Sequence, residues 1–139
     1  MPSDAAAAGF TVVSESLVPV ATGDPARFIG QVRQTDVLPA LQSDGLRGSR
    51  IDYAPGARSN WHVHTGEQAL VVTRGRGLVQ WEGLDRPIEL HAGDWVHVRR
   101  GIPHWHGAAP DSEFSHLAIT ATGDTIWHEA VTDLDEGAS

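Results

Sequence analysis

The 139-residue sequence predicts an all-β domain. Three observations carry that reading. Short β-type runs follow one another at close spacing along most of the chain. Turn signals containing Gly or Pro separate them. Only Asp36–Ser43 is open to a helical or irregular assignment. In order, the runs are Thr11–Val20, Arg27–Arg33, Leu46–Tyr53, Trp61–His64, Gln68–Arg74, Gly77–Trp81, Trp95–Arg99, Phe114–Thr120 and Thr125–Val131. Ala54-Pro55-Gly56 turns the chain after the third run and Arg74-Gly75-Arg76-Gly77 after the fifth. Ala92-Gly93-Asp94 precedes the seventh run, and Arg100-Gly101-Ile102-Pro103 follows it. Many short strands of this kind suit a sandwich or a small barrel, and closing a barrel removes its exposed edges. The length supports one core and is too small for two ordinary domains. Residues 1–9 and 134–139 are small, polar or acidic and read as flexible tails around a single domain at 10–133.

Composition narrows the chemistry. The chain has 18 acidic residues against 10 basic ones, all of them Arg, and contains neither Lys nor Cys. A lysine Schiff base, a cysteine nucleophile, a disulfide framework and a thiolate metal site are therefore excluded. The net charge of −8 argues against nucleic acid as a partner, because that binding needs a cationic surface. No apolar stretch approaches the roughly 20 residues of a membrane-spanning helix. The start, MPSDAAAAGF, lacks the positive region of a signal peptide. With no Cys to report on the redox compartment, cytoplasm is the default location. Carboxylates, hydroxyls and histidine remain, and the histidines cluster: of eight, six fall between positions 62 and 106, and the first 61 residues have none.

His62 and His64 are spaced i, i+2, which on a strand projects both from one face. Two such imidazoles are half of a chelate, and another strand must complete it. His104 and His106 form a second pair just after Pro103. A lone His is ordinarily a surface or satisfied core residue; two pairs, each following a Gly-containing turn, point to a metal. Nitrogen and oxygen ligands without sulfur suit Mn, Fe, Ni or Zn and do not select among them.

The spacing carries a resemblance. Gly56, His62, His64, Gln68 and Gly75 reproduce Gly-x5-His-x-His-x3-Glu-x6-Gly, the first signature of the cupins, with Gln68 in the Glu position. Gly93, Gly101 and His104 match the second, Gly-x5-Pro-x-Gly-x2-His-x3-Asn, which departs at Arg99 and Ala108. The resemblance implies a cupin jelly-roll β-barrel holding one divalent metal per chain through His62, His64, Gln68 and His104. Glu67 is the rival fourth ligand, but on a strand it faces away from Gln68. A carboxamide in place of a carboxylate leaves the metal its full +2 charge and makes it more electrophilic.

A narrower resemblance rests on Pro55-Gly56-Ala57-Arg58, Trp61-His62, His104 to Pro110, Ser115 to Ile119 and Trp127 to Asp133. These segments look like the small manganese-dependent bacterial hydroxynitrile lyases. The resemblance implies cleavage of a cyanohydrin, a small-molecule substrate, to an aldehyde or ketone plus HCN, with Mn as the metal. It also implies a homodimer or homotetramer and a proton-carrying histidine at His116. Alternation agrees, because His116, Ala118 and Thr120 share one strand face. His106, in phase with His104, is the second catalytic candidate. Ser49 and Ile51, in phase with Tyr53, are expected to line the substrate pocket together with Thr120.

Other residues have weaker readings. Trp61, Trp95 and Trp105 are expected in core or subunit packing, and His91 and His97 at the surface. His128, Glu129 and Asp133 suit a solvated face or subunit contact, Arg99-Arg100 a surface pair, and Phe10–Val20 a packed or exchanged edge strand. An Fe(II) dioxygenase or other oxidoreductase, and a non-catalytic cupin that binds a metal or small ligand, are the competing functions.

Overall fold

A computed structural model of the chain describes residues 9–37 and 43–131. Twelve antiparallel strands carry the described fold: β1 (Val20–Thr22), β2 (Phe28–Ile29), β3 (Val32–Asp36), β4 (Leu46–Tyr53), β5 (Arg58–Ser59), β6 (His62–His64), β7 (Gln68–Trp81), β8 (Ile88–His91), β9 (Trp95–Val98), β10 (His104–Ala108), β11 (Phe114–Ala121) and β12 (Thr125–Trp127). One 3-10 turn, Glu15–Leu17, precedes them. Among the described residues, no helix is long and apolar enough to cross a membrane.

The long strand β7 joins two sheets. Its first half pairs with β11 and β9, and β11 continues through β4 and β3 to β1. Its second half pairs with β8 and β10. The far edge of β10 is shared by β5 and β6, which are backed by β2 and β12. The result is a single-domain jelly-roll barrel.

Alternation decides what the barrel encloses. On β4, Arg47, Ser49, Ile51 and Tyr53 share the inward face, and register sets them beside Thr120, Ala118, His116 and Phe114 of β11. The Tyr53 and Phe114 end is apolar and closes on Val32, Val72, Val79 and Leu90. Phe114 is fully buried, and truncating such a ring to Ala costs roughly 3–5 kcal/mol. The Arg47 and Thr120 end is polar and open. Ser49 and Thr120 therefore sit toward the open end of a barrel whose other end is ordinary core.

Several predicted strands differ from the observed ones. Thr11–Val20 is not a strand: residues 15–17 form the 3-10 turn, pairing begins only at Val20, and Val12 and Leu17 are exposed. The Arg50–Glu15 ion pair (2.8 Å) ties this segment to β4. Arg27–Arg33 splits into β2 and β3 at Gly30, where φ is +82° and a Cβ would lie 2.9 Å from that of Ala57. Gln68–Arg74 and Gly77–Trp81 are one strand. Gly75, at φ +75°, bends it where any side chain would strike the Glu113 carbonyl, instead of turning the chain back. β5, β8 and β10 lie outside the predicted runs, and Thr125–Val131 shortens to β12. In Asp36–Ser43, Asp36 ends β3 and Val37 and Ser43 are irregular, while 38–42 lie outside the described residues. The same holds for the expected tails, apart from Gly9.

Candidate metal centre

Strand β6 is three residues long, and His62 and His64 at its ends are both buried on one face. β10 pairs with β6 at His104↔His62, which sets a third imidazole beside the first. The ring centroids of His62 and His104 are 4.3 Å apart, those of His62 and His64 5.0 Å, and those of His64 and His104 5.4 Å. One nitrogen from each of the three lies within 4.8 Å of the others. Gln68, at the start of β7, is buried as well.

Outer partners aim these groups. His62 Nδ1 donates to the Asn60 carbonyl (2.8 Å) and His104 Nδ1 to the Ile102 carbonyl (2.9 Å), so each ring keeps its Nε2 lone pair. His64 Nδ1 is hydrogen-bonded to the Thr125 hydroxyl (3.0 Å). Gln68 Nε2 donates to Thr120 Oγ1 (2.9 Å), which leaves Oε1 free. His64 Nε2, His104 Nε2 and Gln68 Oε1 are all buried without a partner. Each such orphan costs about 1–3 kcal/mol. The three imidazoles are close enough to hold one ion and the Gln68 oxygen is a further acceptor, so the set fits a divalent metal. Burial holds the rings neutral, as ligation requires. It pushes the pKa of His62 well below the ordinary value, that of His104 down, and that of His64 to about 4, where His104 and the Arg47 charge add to the effect.

Residues 49–120 match the cupin domain family. The chain belongs to the cupins. Over 109 residues it is 41% identical to an (R)-mandelonitrile lyase from Granulicella tundricola, which covers 76% of this chain and 82% of that protein. It also resembles the crystal structure of a cupin-like protein from Thermotoga maritima, with a TM-score of 0.79, 32% identity, and coverage of 84% of this chain and 92% of that one. A polyketide cyclase from Streptomyces resistomycificus shares the fold at a TM-score of 0.70 and 17% identity, covering 91% of each chain.

In this cupin the two departures from the second signature are tolerated. Arg99 is exposed, and the buried Ala108 donates its backbone N–H to the Ala57 carbonyl (2.8 Å). Glu67 is exposed and bound to His97 (2.8 Å), so it turns away from the three imidazoles, and that hydrogen bond lowers its pKa. His91 meets Glu89 at the surface (3.1 Å). Trp105 is buried against Val131 and the half-buried Trp61, whereas Trp95 is 74% exposed. His128, Glu129, Arg99 and Arg100 are exposed, and Asp133 lies outside the described residues.

A cavity of about 460 Å³ opens on His62, His64 and Gln68, and Ser49, Ile51 and Thr120 are in its wall. His106 lines it too; His116 does not. His116 is fully buried, its ring centroid 4.8 Å from that of His106 and 5.5 Å from that of Tyr53. The Tyr53 hydroxyl lies 2.7 Å from His106 Nδ1 and 3.0 Å from His116 Nε2. Burial lowers the pKa of His106 well below the ordinary value and that of His116 to about 4, and raises that of Tyr53, so all three are neutral. Proton positions follow from counting donors. His116 Nδ1 donates to the Leu117 carbonyl (3.3 Å), so its Nε2 accepts from Tyr53. The Tyr53 oxygen then accepts from His106 Nδ1, which leaves the lone pair on His106 Nε2. Neither Tyr53 nor Arg47 was singled out from the sequence. Their only signal was the i, i+2 phase with Ser49 and Ile51.

Proposed function

We propose that this cupin is a metal-dependent carbon–carbon lyase of the hydroxynitrile-lyase type, with His62, His64, Gln68 and His104 as metal ligands. The observation that carries the reading is the set of buried, unpartnered lone pairs on His64, His104 and Gln68. Likeness to the (R)-mandelonitrile lyase supports the reaction class. A divalent ion held by four neutral ligands, Mn in this reading, keeps its full +2 charge and supplies Lewis acidity toward a cyanohydrin hydroxyl oxygen.

The chain's own residues handle the proton. His106 Nε2 accepts the hydroxyl proton as the carbonyl forms and the C–C bond breaks, with the electron pair leaving on cyanide. The same nitrogen returns the proton to cyanide, giving HCN. Tyr53 and His116 hold His106 in the tautomer that makes this possible. The role expected of His116 thus becomes a positioning one, exerted through Tyr53. Ser49, Ile51 and Thr120 shape the space for the carbonyl substituent, and Thr120 also orients Gln68. Trp95 and Ile119, exposed on the outer face of the first sheet, support assembly into a homodimer or homotetramer, which light scattering would read.

Elemental analysis of the purified protein, paired with benzaldehyde release from mandelonitrile, tests the reading. One divalent ion per chain and cleavage are expected. An iron-loaded protein that consumes oxygen with an enol and leaves mandelonitrile intact would overturn it.

A further inference from the structure

Four arginines among the described residues are half-buried: Arg47, Arg50, Arg58 and Arg76. Three are satisfied. Arg50 pairs with Glu15, Arg58 donates to the Val131 and Gly56 carbonyls, and Arg76 binds Glu89 and Asp111. Arg47 differs. Its Nε is buried with no hydrogen-bond partner, and no ion pair between described residues includes it.

Its placement gives that isolation a meaning. Arg47 lies on the inward face of β4, in register with Thr120, the residue that orients Gln68. It lines the same cavity as His62 and His64. Of the acids in that wall, Asp24 is engaged with Arg27 (3.8 Å). A buried N–H left without a partner is costly. The guanidinium lines the cavity with its Nε–H unpaired, and such a group is the planar fork that grips a carboxylate through two parallel hydrogen bonds.

We propose that Arg47 is a specificity-determining residue that receives a carboxylate of the substrate while the reacting oxygen sits at the three-His site. The substrate class is then a carbonyl compound, or its cyanohydrin, bearing a carboxylate on a short arm. This rests on the lyase reading for the reaction, though not for the binding.

Calorimetric titration of the manganese-loaded full chain with 4-oxobutanoate and with its methyl ester tests it. The acid should bind tighter than the ester by on the order of tenfold to a hundredfold, the range of a charged hydrogen bond. Arg47→Met should abolish that difference, and Arg47→Lys should retain part of it, both with unchanged metal content and cooperative thermal unfolding. Equal binding of acid and ester, binding of neither, or an acid preference that survives Arg47→Met would overturn the proposal. If no cyanohydrin is cleaved while the Arg47-dependent preference persists, the lyase reading fails and this one stands. Mandelonitrile cleavage without any acid preference gives the reverse.

Discussion

Two groups of buried histidines lie side by side in this barrel and differ in one respect. His106 and His116 are joined through the Tyr53 hydroxyl, and the chain of hydrogen bonds ends on the Leu117 carbonyl. His64 Nε2, His104 Nε2 and Gln68 Oε1 are buried with no hydrogen-bond partner. The ring centroids of His62 and His106 are only 5.1 Å apart, so the same low-dielectric interior surrounds both groups. A satisfied network holds a geometry; an unsatisfied cluster of acceptors is built for a cation. Burial alone does not separate the two, but accounting for each partner does.

Breaking the unsatisfied group should have the largest effect. His104→Ala removes one of the three imidazoles and is expected to take metal content and lyase activity to background, read by elemental analysis and product release. Thr120→Val comes next. It frees the Gln68 amide without touching the imidazoles, and metal affinity should fall by roughly 10–100-fold in a competitive chelator titration.

The satisfied group should respond in the opposite manner. Tyr53→Phe leaves His106 Nδ1 and His116 Nε2 without their shared partner and should lower stability by about 1–3 kcal/mol. Metal content should hold while kcat falls, because the tautomer of His106 is no longer fixed. Loss of metal in this variant would erase the distinction between the groups.

The two groups do share a pH response. His64 and His116 are held at about 4 by burial, against an ordinary value of 6.5. Between those limits the unfolded chain binds more protons than the folded one, so stability falls as pH drops. Tm of the metal-free protein should be flat above about pH 6.5 and decline steadily toward pH 4. The smallest effect belongs to Glu67, whose carboxylate faces His97 outside the barrel. Glu67→Ala should leave metal content unchanged.

Much of the metal centre was legible because it is local. The i, i+2 spacing of His62 and His64 needs only one short strand, and Gly56 to Gly75 keeps a recognisable pattern around it. Tyr53 and Arg47 were not legible, since their roles depend on how β4 registers against β11, 61 to 73 residues later in the chain. The place of His116 shows the same limit: its phase toward the interior was readable, but its hydrogen bond to Tyr53 was not. In the fold, the glycine-rich stretch at 74–77 looked like a turn, because a bend that lets β7 serve two sheets uses the same residue type as a reversal. Thr11–Val20 has β-type composition, but among the described residues only Val20 finds a partner strand, and Glu15–Leu17 forms a 3-10 turn.

The most direct test is calorimetric titration of Mn²⁺ into the chelator-treated full chain near neutral pH, beside the His104→Ala variant. Saturation at one ion per chain, absent from the variant, is the predicted result. No binding by the wild-type chain, or equal binding by both proteins, would contradict the assignment of the acceptor cluster as a metal site.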